Sequence, residues 1–338
     1  RGMGINPGII VLRSDRLLEE SVFRKISLFC NVREDCVIEN ITLPNLYEAP
    51  LMLEKSGFSD VVCRELHIEA PEPDLTDWTA MVERIHNRSE EVHIGLVGKY
   101  VKLHDAYLSV AEAMNHAGYE ENAFVKIHWI DSEGITRETV NDVLHGLDGI
   151  IVPGGFGNRG IEGMITAAEY ARKNRIPYFG ICLGMQIAVI EYARNEAGLP
   201  EAHSGEFDEQ CRDKVIDFMP GQSDDIDKGG TLRLGNYPCV IQPGTQMEHC
   251  YQRSVIQERH RHRYELNNQY RELLTDAGLV ISGTSPDGRL AETIELADHP
   301  FYIGVQFHPE FTSRPNRPHP LFQGFISAAF HENTKQEE

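Results

Sequence analysis

The chain has 338 residues, which is long enough for two domains with separate hydrophobic cores. Its net charge of −20 is spread along the sequence, so no basic segment favours binding to nucleic acid or to an anionic membrane. Seven irregularly spaced cysteines argue against a disulfide framework and a structural zinc site, and the lack of a long apolar run or signal peptide leads us to expect a soluble cytoplasmic protein.

Residues 1–70 have the pattern of the end of an α/β domain. The predicted elements are strands at 9–12, 26–30 and 37–42 and helices around 18–24 and 47–55. The first strand begins almost at once, so we expect the first part of this domain to be absent, with apolar surface from 9–12 and 26–29 left uncovered. Residues 71–91, which begin with a Pro-rich acidic stretch and continue into a helix at 77–88, are predicted to be a linker.

From residue 92 onward, strands and helices alternate regularly. This order predicts a second α/β domain, residues 92–338, with a mostly parallel open sheet covered by helices on both faces. The predicted strands are 92–98, 124–130, 147–152 and 176–182, and the predicted helices are 105–118, 136–145, 161–174 and one from 183. Later segments at 231–234, 280–283, 290–296 and 301–307 are predicted as antiparallel strands, followed by a helix at 319–330.

A cysteine lies at one switch from strand to helix. Residues 176–181 have the apolar content of a buried strand, and helical spacing begins at Leu183, so Cys182 occupies the turn. Gly180 and Gly184 complete a Gly-x-Cys-x-Gly pattern, whose small neighbours permit a tight turn that exposes the thiol. The free N–H groups at a helix N-terminus favour the thiolate. A buried structural cysteine between packing glycines is the alternative interpretation.

Two further motifs follow predicted strands. Residues 153–157 (Pro-Gly-Gly-Phe-Gly) offer backbone N–H groups that, with that of Leu183, could form an oxyanion hole. His308 and Glu310 flank Pro309 and point to one side if the backbone is extended. A thiol, an imidazole and a carboxylate are the nucleophile, base and orienting group of covalent acyl transfer. Taken singly, each motif is also compatible with an ordinary turn.

In chain order, which is Pro-Gly-Gly, then Gly-x-Cys-x-Gly-x-Gln, then His-Pro-Glu, the three motifs resemble those of the class I, or triad, glutamine amidotransferases over about residues 92–330. The resemblance implies a flavodoxin-like fold and a glutamine-hydrolysing site without a metal. It implies Cys182 as nucleophile, His308 as general base and acid, and Glu310 as the group that orients the imidazole. For glutamine binding it implies seven residues: Gly155, Leu183, Gly184, Met185, Gln186, Glu206 and Arg263. Two of them, Gly155 and Leu183, would be the oxyanion donors.

Additional segments are similar to the CTP synthase family in particular. They are residues 97–100, 105–107, 154–160, 184–186, 229–235 and 258–265 (Glu-Arg-His-Arg-His-Arg-Tyr-Glu). Residues 13–16 and 25–32 resemble the end of the amidoligase domain of that family, so the resemblance spans nearly the whole chain. It implies nucleotide contacts at Lys25 and at Ile41, Thr42 and Leu43.

The family resemblance also implies substrates, cofactors and partners. L-Glutamine would supply ammonia for the ATP-dependent amination of UTP to CTP, with Mg²⁺ as cofactor, GTP as allosteric activator, and a homo-oligomer between dimer and tetramer. The phosphate loop and Mg²⁺ ligands of the family lie in the first part of the amidoligase domain, and no such motif is present here. We therefore expect no cofactor in this chain, and glutaminase activity without CTP formation.

Two other classes of function are compatible with parts of the sequence. One is another class I glutamine amidotransferase subunit or a γ-glutamyl hydrolase, against which residues 25–32 and the Arg-His-Arg-His-Arg-Tyr run argue. The other is a regulatory or filament-forming module with a silent triad, against which the intact Cys, His and Glu set argues.

Overall fold

The structure is a computed structural model that describes residues 2–218 and 232–337. The chain divides into two compact units, Arg1–His86 and Asn87–Glu338. Within the described ranges, no helix combines the length and the apolar character needed to cross a membrane.

The first unit contains one small parallel sheet and four α-helices within its described residues. The strands and helices are β1 (Ile10–Ser14), α1 (Glu20–Cys30), β2 (Val37–Ile41), α2 (Ala49–Lys55), α3 (Phe58–Leu66) and α4 (Thr76–His86). β1 and β2 pair in parallel, with Ile10 opposite Val37. Cys36, Ile38 and Val61 are the buried centre of a small core between the sheet and the helices.

The predicted strand at 26–30 is wrong, because these residues are the second half of α1. The half-buried positions of α1 include Val22, Ile26 and Cys30, which recur every four residues and therefore share one face of a helix. A short apolar run is compatible with strand or helix, and here the helical spacing decides. The helix α3 was not predicted. The prediction of uncovered apolar surface is confirmed at Leu28 and Phe29, which are 80% and 76% exposed.

The second unit is built on a large mixed sheet. Its strands in chain order are β3 (Glu90–Gly98), β4 (Ala123–Asp131), β5 (Gly149–Val152), β6 (Tyr178–Ile181), β9 (Arg233–Ile241), β10 (Val255–His262), β12 (Val280–Thr284), β13 (Ala291–Glu295) and β14 (Tyr302–Val305). They are arranged in the order β10-β9-β12-β13-β14-β6-β5-β3-β4. The half from β14 to β4 is parallel, and the half from β10 to β14 is antiparallel.

The described part of this unit also contains a separate small sheet and seven α-helices. The small sheet consists of β7 (Ala202–Ser204), β8 (Asp213–Phe218) and β11 (Tyr264–Leu266). The helices are α5 (Leu108–Glu120), α6 (Val140–Leu144), α7 (Ile161–Asn174), α8 (Leu183–Asn195), α9 (Gln246–Tyr251), α10 (Arg271–Asp276) and α11 (Pro320–Glu337). One core holds Met164 of α7 and Ile187 of α8, and a second core holds Met114 of α5 and Phe325 of α11. The predicted α/β fold with helices on both faces is confirmed.

Local polar contacts account for differences in element bounds. The helix predicted at 136–145 begins only at Val140, because the backbone N–H of Thr136 and the hydroxyl of Thr139 are 2.9 Å apart and close a turn before it.

The segment predicted at 301–307 as an antiparallel strand pairs antiparallel with β13 but parallel with β6. Residue 231 of the predicted strand at 231–234 lies outside the described residues.

Candidate active site

Cys182 occupies a strained turn between β6 and α8. Its φ and ψ are 52° and −99°, a conformation that non-glycine residues rarely adopt and that costs about 1–3 kcal/mol. A Cβ atom on Gly184 would collide with the carbonyl oxygen of Val152, and one on Gly180 would collide with the backbone of Gly184. The predicted strand-to-helix turn with obligatory small neighbours is therefore confirmed.

Strand pairing places the imidazole at the same sheet edge as the cysteine. β14 and β6 are parallel neighbours, so their carboxyl ends coincide, and the Cys182 N–H donates to the Val305 carbonyl at 2.7 Å. The His308 N–H donates to the carbonyl of Arg259 at 2.8 Å, which anchors the segment after β14. A Cβ on Gly154 would lie 2.9 Å from His308 Cε1 and 3.6 Å from Cys182 Cβ. Gly154 thus leaves the space in which these two side chains meet.

The three predicted triad residues form one hydrogen-bonded chain. His308 Nδ1 lies 2.8 Å from Glu310 Oε1, and His308 also hydrogen-bonds to the sulfur of Cys182. Burial lowers the pKa of His308, but the thiolate of Cys182 and then the Glu310 carboxylate outweigh it and raise this pKa to about 10. The arrangement favours a protonated His308 ring next to the sulfur of Cys182, held by the buried Glu310 side chain.

A cavity of about 160 Å³ opens beside the cysteine. Five of the seven residues predicted to bind glutamine line it, namely Gly155, Leu183, Gln186, Glu206 and Arg263. Among the described residues, the other two lie elsewhere: Met185 is buried in the core, and Gly184 packs on Val152. Any role of Gly184 and Met185 in glutamine binding would be indirect, through the turn that positions Cys182.

The cavity carries opposite charges. Arg263 directly follows β10, and Glu206 follows β7 and accepts the N–H of Gly157 at 3.3 Å. Burial raises the pKa of Glu206, while Gly157, Lys99 and Arg263 oppose this shift. A carboxylate and a guanidinium in one cavity suit a zwitterionic α-amino acid.

Lys99 is a site residue that the sequence reasoning missed. Its Nζ donates to the carbonyls of Phe156 and Gly157, and its side chain is only 3% exposed. Burial lowers its pKa to about 8, against the opposing effect of Glu206. Lys99 therefore ties β3 to the glycine loop that lines the cavity. Its position inside the segment 97–100, directly after a buried strand, was the available signal.

Of the two histidines in residues 258–265, His262 lines the cavity, whereas His260 is not among its lining residues. β10 alternates exposed and buried residues, so His260 and His262 point inward and Arg261 outward. His260 Nδ1 lies 3.1 Å from His262 Nε2. Burial and then the charge of Arg233 lower the pKa of His260 to about 2 and that of His262 to about 3, so both rings are neutral.

Those two histidines and Glu292 are close enough to share a metal ion. Arg233 Nη1 lies 2.6 Å from Glu292 Oε1, however, so a guanidinium already balances the carboxylate. The charge of Arg233 disfavours a dication in the same cluster. We assign this cluster a structural role behind the cavity.

The predicted nucleotide contacts lie in the first unit. Lys25 is exposed on α1, and Ile41 ends β2. The Thr42 hydroxyl donates to Asp15 Oδ1 at 2.7 Å, and Leu43 follows with an intermediate exposure. These four assignments stay predictions. Of the segment 229–235, residues 229–231 lie outside the described residues.

Comparison with known proteins places both units. The family model described as glutamine amidotransferase class-I matches residues 102–328, and the model described as CTP synthase N-terminus matches residues 1–68. CTP synthases of Clostridium acetobutylicum and Carboxydothermus hydrogenoformans are each 56% identical to this chain, over 97% and 98% of it. The chain spans 62% of the length of these two relatives.

A solved structure agrees with the sequence relatives. The glutaminase domain of Trypanosoma brucei CTPS with bound acivicin is 41% identical and matches with a TM-score of 0.66. The match covers 71% of this chain and 94% of that structure.

Proposed function

Since the chain belongs to the class I glutamine amidotransferases, and among them to the CTP synthases, we propose that Cys182 hydrolyses glutamine with the help of His308 and Glu310. The observation that carries this proposal is the hydrogen-bonded chain from Glu310 through His308 to the sulfur, beside a cavity with one carboxylate and one guanidinium.

The first half of the reaction forms a thioester. The Cys182 thiolate attacks the side-chain carboxamide carbon of glutamine, and the oxygen gains negative charge as the C–S bond forms. N–H groups of Gly155 and Leu183 are our proposed donors to that oxygen, since the first N–H groups of α8 have no acceptor within the helix. The C–N bond then breaks, and ammonia leaves with a proton from the His308 imidazolium.

The second half regenerates the thiol. Neutral His308 accepts a proton from water, which attacks the thioester carbon, and the C–S bond breaks to release glutamate and thiolate. Glu310 holds the ring through His308 Nδ1 and stabilises the imidazolium whenever it forms. Glu206 and the Oε1 atom of Gln186 are proposed to accept from the α-amino group of glutamine, and Arg263 is proposed to donate to its α-carboxylate.

The activity of the complete protein is a further proposal, because this chain spans only part of its relatives. Ammonia from Cys182 would aminate UTP to CTP, and ATP with Mg²⁺ would activate UTP outside the residues described here. Lys25, Ile41, Thr42 and Leu43 are the proposed contacts of this chain to nucleotides. GTP as activator and a homo-oligomer from dimer to tetramer complete the proposal.

The cytoplasm is our proposed location, since every cysteine of the chain is a free thiol in the structure. The competing functions are another class I glutamine amidotransferase subunit or γ-glutamyl hydrolase, and a regulatory or filament-forming module with a silent triad. Neither is favoured by the two family models and the CTP synthase relatives.

The test is ammonia release from L-glutamine by the wild-type chain and by Cys182→Ala, without nucleotides. We expect slow turnover by the wild type and none by the variant. Equal activity of both would contradict Cys182 as nucleophile, and absence of activity with an unreactive cysteine would favour the silent module.

A further inference from the structure

We infer that Gln306 is a hydrogen-bond donor to the nucleophile that holds the sulfur of Cys182 as a thiolate facing the cavity. This inference rests on the proposed role of Cys182. Gln306 Nε2 lies 3.6 Å from Cys182 Sγ, and the side chain is fully buried. The residue lies just before the His-Pro-Glu motif, yet the motif comparison implied no function for it.

The amide orientation follows from a fixed acceptor. Gln186 Nε2 donates to the carbonyl of Tyr264 at 3.0 Å, and a carbonyl can only accept, so the NH₂ group of Gln186 must face it. The same Nε2 lies 3.3 Å from Gln306 Oε1, which therefore accepts. The remaining end of the Gln306 amide is its NH₂ group, and this end faces the sulfur. The backbone carbonyl of Tyr264 thus sets the direction of the whole chain of contacts.

The backbone holds this contact in register. The Gln306 N–H donates to the carbonyl of Glu292 at 2.8 Å, and the Cys182 N–H donates to Val305 at 2.7 Å. Both side chains therefore project from adjacent parallel strands at the same level. A shift of one residue in either strand would turn the amide away from the sulfur.

The contact favours the charged form of the thiol. A hydrogen bond to an anion stabilises the anion, so Gln306 and the His308 imidazolium are two donors to one thiolate. Gln306 also links the sulfur to Gln186, which lines the cavity. Binding of glutamine at Gln186 and reactivity at Cys182 are thereby connected through one buried amide.

The experiment follows the reactivity of Cys182 directly. Iodoacetamide alkylation of the Cys182 peptide is measured by mass spectrometry across a pH series in wild type, Gln306→Leu and Gln306→Glu. Gln306→Leu removes the donor, and Gln306→Glu keeps the size but replaces the donor with an acceptor. We expect the alkylation midpoint to rise by about 1–2 pH units in Gln306→Leu, the worth of a hydrogen bond to a charged group, and at least as far in Gln306→Glu.

The matched control is Ser282→Ala, which deletes another fully buried polar group of the same sheet, 2.9 Å from Thr293 Oγ1. This control should leave the midpoint unchanged, because a general loss of packing does not move a thiol pKa. Unchanged midpoints in both Gln306 variants, with intact cooperative unfolding, would overturn the inference. A wild type that is alkylated at low pH but releases no ammonia would instead contradict the proposed function and leave the Gln306 contact standing.

Discussion

Replacing Glu310 with Gln tests how much the carboxylate contributes to the reaction. In the wild type, His308 Nδ1 lies 2.8 Å from Glu310 Oε1. The amide of the variant keeps the size of the side chain and can still accept a hydrogen bond from His308 Nδ1, but it carries no charge. Both side chains are largely buried, so solvent screens the pair little. A hydrogen bond to a charged partner contributes about 1.5–3 kcal/mol, against about 0.5–1.5 kcal/mol for a neutral one. The difference of about 1–2 kcal/mol corresponds to a loss of roughly 5- to 30-fold in glutaminase kcat/KM.

The assay is ammonia release, coupled to glutamate dehydrogenase, over a pH series. Glu310 is among the groups that raise the pKa of His308 to about 10, so its loss lowers that pKa and moves the alkaline limb of activity to lower pH. Glu196→Gln is the matched control, since Glu196 pairs with Arg172 at 2.6 Å in a different ion pair. Activity of Glu310→Gln within twofold of wild type, with an unmoved alkaline limb, would refute the reasoning.

Three further outcomes are expected. Cys182→Gly should release no ammonia, yet it should unfold at a higher urea concentration than wild type. The reason is that glycine removes about 1 kcal/mol or more of backbone strain at φ 52°. An unchanged or lower urea midpoint would argue against that strain. Burial, and then Glu292, raise the pKa of Glu265 from 4.5 to about 8. Protonated Glu265 therefore contributes fully to the free energy of unfolding below pH 4.5, and this contribution is lost as the pH rises through 8. The free energy of unfolding of Glu265→Gln, measured by urea titration, should therefore rise relative to that of wild type by up to ~5 kcal/mol as the pH goes from acidic to mildly alkaline. The same pH dependence of the free energy of unfolding in both proteins would contradict this. Lys99→Met should raise KM for glutamine through loss of its contacts to Phe156 and Gly157, and an unchanged KM would show that the loop holds without it.

Local patterns predicted the elements that position the reaction. The glycines around Cys182 constrain a turn within five residues, and the parallel strands that precede Cys182 and His308 end at one edge of the sheet. Both facts follow from short-range spacing and from the rule that parallel strands share their carboxyl edge. The error at 26–30 arose where a short apolar run carries both helical and strand character.

The contacts that were not predicted depend on distant parts of the chain. Gln306 meets the sulfur only because β14 lies beside β6 in one register, and its orientation depends on Tyr264. β10 was not identified as a strand, because its buried positions include the polar residues His260 and His262, so apolar alternation is absent. Such polar cores are fixed by partners such as Arg233 and Glu292, which are far away in sequence.

The most direct measurement of the central claim is covalent labelling by a chloroketone derived from L-glutamine. The account predicts one label per chain on Cys182, protection by L-glutamine but not by D-glutamine, and loss of labelling in Cys182→Ala. Labelling spread over several of the seven cysteines, or no protection by L-glutamine, would contradict a glutamine-specific nucleophile at this turn.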